Sequence, residues 1–328
     1  MKITRDEPLH WFGFRDEKVE LVDKIFINPR ENTREFHRGM FDDDFSRVFS
    51  LMNRGKGKLF EIDSNDSDLT QKLLLSIKKP HSLSGNDEII RRLLEEITQS
   101  LTWCGKAYYF VHEEQEKIHI TSLSSVGIVS LFGTLIQWVP KRVERHWDKD
   151  DEDIPRVIRI LDNSRLMSFS MPKPLKRMLS KQNKTFSTLD KHNLDETNFN
   201  AQATYENPNP TSDFNFGEWK ETRDDAFYHA TKNTGWTGRK YDSSQRSDFF
   251  DCHRLIRFRR NQLTLRDEIL NQLSHELTKI GKNYKVEFSV KVSGSNELPT
   301  ISQLNELEKK LEREELGFKE ILDYCYEF

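Results

Sequence analysis

Arginine is the residue type whose clustering in this sequence most suggests binding chemistry, and the cluster falls on one predicted helix. The arginines near the start of that helix are Arg254, Arg257, Arg259, Arg260 and Arg266. Guanidinium groups grouped on one helix can contact the phosphates of a nucleic acid, and such binding weakens as salt rises. The alternative is a solvated helix flank whose arginines pair with acids elsewhere. The predicted nucleic-acid contacts are Arg254, Arg257, Arg260 and Arg266.

Arg246 and His253 form a second candidate constellation just before and within the same predicted helix. The pair resembles the Arg…His pair of HEPN-type ribonucleases, and Ser247 fits the polar residue that often follows the arginine in that family. The resemblance implies that Arg246 holds a phosphate while His253 acts as general base on a ribose hydroxyl. The alternative hypothesis is therefore a nucleic-acid-binding protein or nuclease effector, for example one of a phage-defence system.

Other catalytic and cofactor signatures are incomplete. The sequence has neither a G-x-x-x-x-G-K-[ST] loop nor a G-x-G-x-x-G motif, and Gly55-Lys56-Gly57-Lys58 has the wrong spacing for either. Cys252 and His253 are adjacent rather than spaced as metal ligands, and the aspartate-rich runs at 42–44 and 148–153 are typical of solvated loops. We expect no cofactor and no bound metal. The sequence leaves catalysis open and favours a protein without it.

Charge is nearly balanced over the 328 residues, since 51 basic and 54 acidic side chains give a formal charge of -3. That balance excludes a globally basic nucleic-acid binder but leaves local basic patches open. Hydrophobic residues make up 35% and charged residues 32%, which predicts a modest core under a wet surface. Three separated cysteines, an N-terminus without an apolar segment and no run near the roughly 18 apolar residues of a membrane span predict a soluble, intracellular protein.

A helix followed by strands is the clearest structural pattern. The helix is predicted over 84–103, with Gly105 ending it. Its apolar face is formed by Ile90, Leu94, Ile97 and Leu101. Strands are predicted at 107–111, 118–121, 127–132, 134–139, 156–161 and 166–171, and a short earlier one at Leu21–Ile27. The predicted fold class is α+β, with the helix packed on a mixed or antiparallel sheet.

A stretch rich in Asn and Pro divides the chain. The predicted units are an irregular N-terminal segment at 1–83, a helix-plus-sheet domain at 84–191, a linker or mobile loop at 192–218 and a helical domain at 219–328. The helical domain contains a long helix at 251–281, a half-exposed strand at 285–292 and a final helix with Thr300 and Gln303 as its capping box. The aromatic residues near the linker are expected to pack in the core rather than against a partner: Phe214, Phe216, Trp219, Phe227, Tyr228 and Trp236.

The order of these elements resembles that of phage portal proteins. The resemblance is carried by the string Gly105-Lys106-Ala107-Tyr108-Tyr109 after a helix, by the segment 166–172 before the next helix, and by the long helix followed by a strand and a capped helix. It implies a non-enzymatic structural subunit that forms a homo-oligomer and works with other assembly proteins. Such a subunit is expected in the cytoplasm of a bacterium or infected cell, or in a virion. DNA or RNA is a further candidate partner, and no membrane is.

Overall fold

The computed structural model describes residues 2–4, 7–9, 17–27, 36–49, 58–77, 85–114, 117–144, 152–191, 216–238 and 248–327. Its helices are α1 (Leu21–Phe26), α2 (Phe36–Ser46), α3 (Ser67–Ser76), α4 (Asn86–Cys104), α5 (Lys173–Lys191), α6 (Phe216–Thr231), α7 (Asp248–Gly281), α8 (Ile301–Glu312) and α9 (Phe318–Glu327). Its strands are β1 (Lys2–Thr4), β2 (Glu17–Lys18), β3 (Phe60–Ser64), β4 (Lys106–Glu114), β5 (Lys117–Leu123), β6 (Ile128–Leu131), β7 (Thr134–Val139), β8 (Lys141–Glu144), β9 (Glu152–Ile154), β10 (Val157–Ile160), β11 (Leu166–Ser170) and β12 (Val290–Gly294).

The strands of the described ranges form small sheets with the orders β1-β10-β7-β6, β11-β4-β5, β12-β3 and β2-β8-β9. The pair β1 and β10 is parallel, and the remaining pairs are antiparallel. The strands predicted at 107–111 and 118–121 are β4 and β5, and they pair as a hairpin with Tyr109 opposite Ser122. Helices and mostly antiparallel sheets together make the protein α+β, as predicted.

Helix α4 buries its predicted apolar stripe, and its end is set by one glycine. Leu94 and Ile97 are fully buried. Gly105 adopts a φ of 71°, and its amide donates to the Leu101 carbonyl at 2.7 Å, which closes the helix. At the other end, the Asp87 carboxylate accepts from the Leu59 amide at 2.8 Å. The first turn of α4 is thus tied to the segment that leads into β3.

Helix α7, 34 residues long, lies between two sheet edges and bonds to both. The Ser274 hydroxyl accepts from the Val292 amide of β12 at 2.8 Å, and Thr278 repeats this kind of contact one helical turn later. On another side, the Gln272 side chain accepts from the Ser170 amide at 2.9 Å and donates to its carbonyl at 3.1 Å. Helix side chains therefore take the place of a strand partner for the backbone groups of Ser170, Val290 and Val292.

One apolar core draws on helices from several parts of the described chain. Phe41 of α2, Leu94 of α4, Phe186 of α5 and Ile269 of α7 belong to it. Trp236 packs beside Phe186 at 5.5 Å between ring centroids, and both Trp236 and Phe227 are buried, as predicted. Tyr228 was predicted to pack there too, but it is 41% exposed.

The predicted division into units at 83, 191 and 218 stays a prediction. Residues 192–215 lie outside the described ranges, and 216–218 begin α6. The segment expected to be irregular, 1–83, contains α1, α2 and α3.

One strand prediction is wrong and another is misplaced. Leu21–Phe26 form helix α1, because Glu20 and Asp23 make a reciprocal capping box that satisfies first-turn amides. The predicted strand at 285–292 begins only at Val290, since turns follow α7 and Val286 is exposed.

Candidate assembly and nucleic-acid surfaces

Two of the four predicted nucleic-acid contacts, Arg254 and Arg266, are buried in the fold. The Arg254 side chain is 5% exposed, and its guanidinium donates to the Thr231 hydroxyl at 2.8 Å and to the Trp236 carbonyl. The Arg266 guanidinium donates to the Pro299 carbonyl at 3.0 Å. These arginines therefore hold α7 to the turn that follows α6 and to the start of α8.

The other two, Arg257 and Arg260, are half-buried and also have protein partners. Arg257 donates to the Lys232 carbonyl at 2.6 Å, and Arg260 donates to the Glu308 carboxylate. Burial raises the pKa of Glu308, but the hydrogen bond and charge of Arg260 outweigh it, so that pKa is lowered. Phosphate contact by these residues would have to use the donors that these bonds leave, or compete with the bonds, and it stays a prediction.

The ribonuclease-like pair cannot be assembled from the described residues, because Arg246 lies outside them. His253 is described, and its Nδ1 lies 3.4 Å from a Glu308 carboxylate oxygen. Its ring meets the Phe249 ring edge-on at 4.6 Å between centroids. This nuclease alternative also stays a prediction.

A second basic helix, α5, was not singled out from the sequence. Six cations project from it into solvent: Lys173, Lys176, Arg177, Lys181, Lys184 and Lys191. Among the parts of the chain that the structure describes, none of the six side chains has an ion-pair or hydrogen-bond partner. Its one acid, Asp190, lies beside the His37 ring at 2.5 Å and is nearly buried. The exposed side of α5 is thus basic throughout.

The opposite side of α5 fixes this orientation. Leu175, Leu179 and Phe186 are buried in the core, and the buried Gln182 accepts from the Thr234 hydroxyl at 2.5 Å. Buried residues at intervals of three or four leave the remaining helix surface to the cations. The same spacing was readable in the sequence, where lysines and arginine recur between the apolar positions and no acid occurs from Lys173 to Leu189.

Helix α1 has the reverse arrangement, with a charged residue inside and apolar residues outside. Asp23 is fully buried and accepts from the Trp138 indole at 2.8 Å and from Arg156 at 2.7 and 3.0 Å. Burial raises the pKa of Asp23, but these hydrogen bonds outweigh it and lower that pKa. As a result Leu21 and Ile25 face solvent, 82% and 73% exposed.

The hairpin between β6 and β7 ends in an exposed aromatic residue. Phe132 and Gly133 form its two-residue turn with φ of 50° and 80°. Such turns favour Asn or Asp before Gly, so that phenylalanine at a positive φ costs about 1 kcal/mol. Phe132 is fully exposed and Leu131 beside it is also exposed. Neither burial in the core nor the geometry of the turn explains why a phenylalanine stands at position 132.

The described ranges contain neither a cluster of metal-ligating side chains nor a helix that could span a membrane. No group of three or more His, Cys, Asp or Glu side chains is placed to hold a metal ion there. Within the same ranges, no helix has the length and apolar character needed to cross a membrane.

Comparisons with solved structures return particle components. A chain from the neck of an empty gene transfer agent particle matches with a TM-score of 0.44 and 11% identity, over 89% of this chain and 91% of that chain. A chain from the virion of a native gene transfer agent particle matches with a TM-score of 0.43 and 11% identity, over the same shares. An HK97-family phage portal protein from Corynebacterium diphtheriae matches with a TM-score of 0.37 and 8% identity, over 88% of this chain and 100% of that chain.

No protein-family model matches the sequence, and no curated protein matches it. The chain is similar to phage portal and particle-neck proteins, the kind of resemblance that the order of its elements predicted.

Proposed function

We propose that this chain is a non-enzymatic structural subunit of a phage-like particle, which assembles with copies of itself and contacts DNA. The observation that carries the proposal is a pair of exposed apolar elements at opposite ends of β7. The outward face of α1, defined here as Leu21, Val22 and Ile25, lies on the helix that bonds to Trp138 near the end of this strand. The hairpin tip, defined as Leu131 and Phe132, immediately precedes its start.

A second copy of the chain could supply a partner for both of these apolar elements. The α1 face and the hairpin tip lie at different places, so the face of one copy can pack on the tip of the next copy in a head-to-tail contact. Head-to-tail contacts generate rings when the rotation closes. Large apolar side chains held in water in this way are typical of protein interfaces.

Hydrogen bonds and ion pairs on the inner side of α1 hold the helix in a fixed orientation. Asp23 accepts from both Trp138 and Arg156, and the Glu20 carboxylate bonds to Arg156 at 2.9 Å and to Lys141 at 2.8 Å. A buried carboxylate needs such partners to stay charged. The helix is therefore held with its apolar residues outward, which favours a partner for them. The order α4, β4, α5, α7, β12 and α8 supports a portal-like subunit, in a virion or in the cytoplasm with other assembly proteins.

Particle mass tests the proposal. Native mass spectrometry and light scattering at micromolar concentration should show wild-type assemblies of several subunits. Leu21→Glu with Ile25→Glu should shift the protein to monomer, because each change places a carboxylate in an apolar contact. Lys24→Glu on the same exposed helix is the matched control and should leave the mass unchanged. A wild-type protein that is monomeric under these conditions overturns the proposal.

A further inference from the structure

We propose that the exposed basic side of α5 binds the phosphate backbone of duplex DNA without reading its bases. This basic face consists of Lys173, Lys176, Arg177, Lys181, Lys184 and Lys191. This inference rests on the proposed function: a subunit that contacts DNA needs a surface for it, and for that reason we propose DNA rather than RNA as the ligand. Binding to DNA does not depend on the α1 face or the hairpin tip, so the assembly part of the proposed function and this inference can fail separately.

The spacing of the basic face matches an extended row of phosphates. Helix α5 has 19 residues, which corresponds to about 28 Å at 1.5 Å per residue. Lys173, Arg177 and Lys181 follow one another at four-residue intervals, about 6 Å apart along the helix axis. Phosphates along each DNA strand advance by about 3.4 Å per nucleotide, so a helix of this length faces several of them.

The helix carries this charge at an electrostatic cost. Lys173 lies in the first turn, which contains no acid, although the positive end of the helix dipole favours carboxylates there. Arg177 and Lys181 are like charges at the i, i+4 spacing, which destabilises a helix. A solvated surface with no ligand would gain from acids among these positions. A bound anionic polymer would offset the repulsion among these cations.

The composition of the face favours phosphate over an acidic protein. Ser180 and Ser187 are exposed between the cations, and hydroxyls together with Lys and Arg are the groups that contact DNA phosphates. Protein interfaces instead need buried apolar or aromatic anchors and are poor in lysine. The exposed side of α5 has no such anchor.

The lack of aromatic residues on this face also separates duplex from single-stranded ligands. Single strands are held largely by stacking of their bases on aromatic side chains. The only aromatic residue of α5, Phe186, is buried in the core. The backbone of an intact duplex is therefore the better fit.

The test measures equilibrium binding of the full chain to a labelled 30-base-pair DNA of random sequence, over a range of salt concentrations. If all six cations contact phosphates, the slope of log affinity against log salt should be roughly −5. Reversing three of them (Arg177→Glu, Lys181→Glu and Lys184→Glu) should reduce that slope by about three units and weaken binding at least tenfold.

A matched variant controls for net charge. Lys72→Glu, Lys282→Glu and Lys309→Glu make the same charge change at exposed lysines on other helices and turns, and this variant should keep most of the wild-type affinity and slope. Thermal melts and light scattering should show both variants folded and assembled as the wild type is. For the α5 variant, a milder version with Gln at the three positions should reduce the slope in the same direction.

Several results would overturn the inference. One is equal loss of binding in both triple variants, which would mean that net charge alone decides. Others are tighter binding to single-stranded DNA or to duplex RNA than to duplex DNA, and equal binding to polyglutamate of matched charge. The inference would also be overturned if the wild type did not bind duplex DNA at low salt.

Discussion

Helices α5 and α7 both carry rows of cations, but the two rows have opposite surroundings. On α7, Arg254 and Arg266 are buried and donate to backbone carbonyls, while Arg260 pairs with a carboxylate. On α5, the six cations face water, and the structure gives their side chains no protein partner within its described ranges. The density of basic residues along a sequence therefore does not identify a surface for anions. What matters is whether the fold already uses their donors.

The residue types fit this difference. A guanidinium offers five donors in a planar fork and can bind two carbonyl or carboxylate groups at once, which suits the tie between α7 and the turn after α6. An ammonium is compact and strongly hydrated, so it remains at the surface. Arginine dominates on α7 and lysine dominates on α5.

Removing one buried arginine should give the largest effect and is the most direct way to break the comparison. Arg254→Ala leaves the Trp236 carbonyl and the Thr231 hydroxyl without their donor and opens a cavity, and it should lower the free energy of unfolding by about 3 kcal/mol. Lys184→Ala on α5 should change it by less than about 0.5 kcal/mol. Urea unfolding of both variants measures this. Equal losses would show that the two helices do not differ as described.

Local pattern was enough to predict much of the fold. Helical spacing of Leu94 and Ile97 with Gly105 behind them placed α4, and Thr300 with Gln303 placed the start of α8. These signals are local, because a cap or an apolar stripe acts within a few residues. Leu21–Phe26 failed because the Glu20–Asp23 capping box was not recognised as the start of a helix. The burial of Asp23 against Trp138, more than a hundred positions away, could not be read from local pattern at all.

The candidate surfaces were harder to predict than the elements. The arginines of α7 were conspicuous, but their partners Thr231, Trp236 and Pro299 come from other segments that only the fold brings close. The basic face of α5 was visible as lysines between Leu175 and Phe186. It could have been recognised from the lack of acids on one side of a helical pattern. Exposure of Phe132 follows from a two-residue turn whose length the sequence did not specify.

A double reversal on α7 should sharpen the comparison with an intermediate effect. Arg257→Glu with Arg260→Glu breaks the pair with Glu308 and should cost about 1 kcal/mol of stability, since these side chains are partly solvated. With α5 intact, the salt dependence of DNA binding should stay as in the wild type. If the slope instead falls by about two units with folding preserved, the predicted contacts of α7 belong to the same DNA surface.

The dependence of melting temperature on acid pH should also distinguish the cations of α7 from those of α5, by a smaller effect. The pKa of Glu308 is lowered in the folded protein, so its pairing with Arg260 contributes stability above the ordinary pKa of 4.5. That contribution is lost as pH falls through the lowered folded-state value. Arg260→Gln should therefore flatten the fall in melting temperature between about pH 5 and pH 3. Lys184→Gln should leave this part of the profile parallel to the wild type, and a flattening there would contradict the lack of a carboxylate partner.

The smallest effect should be a gain in stability, and it tests whether α5 is strained by its own charge. Lys181 has like charges at Arg177, four residues before it, and at Lys184, three residues after it. Each such pair destabilises a helix by about 0.2–0.5 kcal/mol. Lys181→Gln should therefore raise the free energy of unfolding by roughly 0.5 kcal/mol at 20 mM salt. Because the Debye length falls to about 3 Å at 1 M salt, that gain should vanish there. Duplex DNA should stabilise the wild type more than the variant at low salt, since the ligand removes the same repulsion. A loss of stability in Lys181→Gln would mean that the lysine has a partner within the protein, and the contrast between α5 and α7 would then fail at this position.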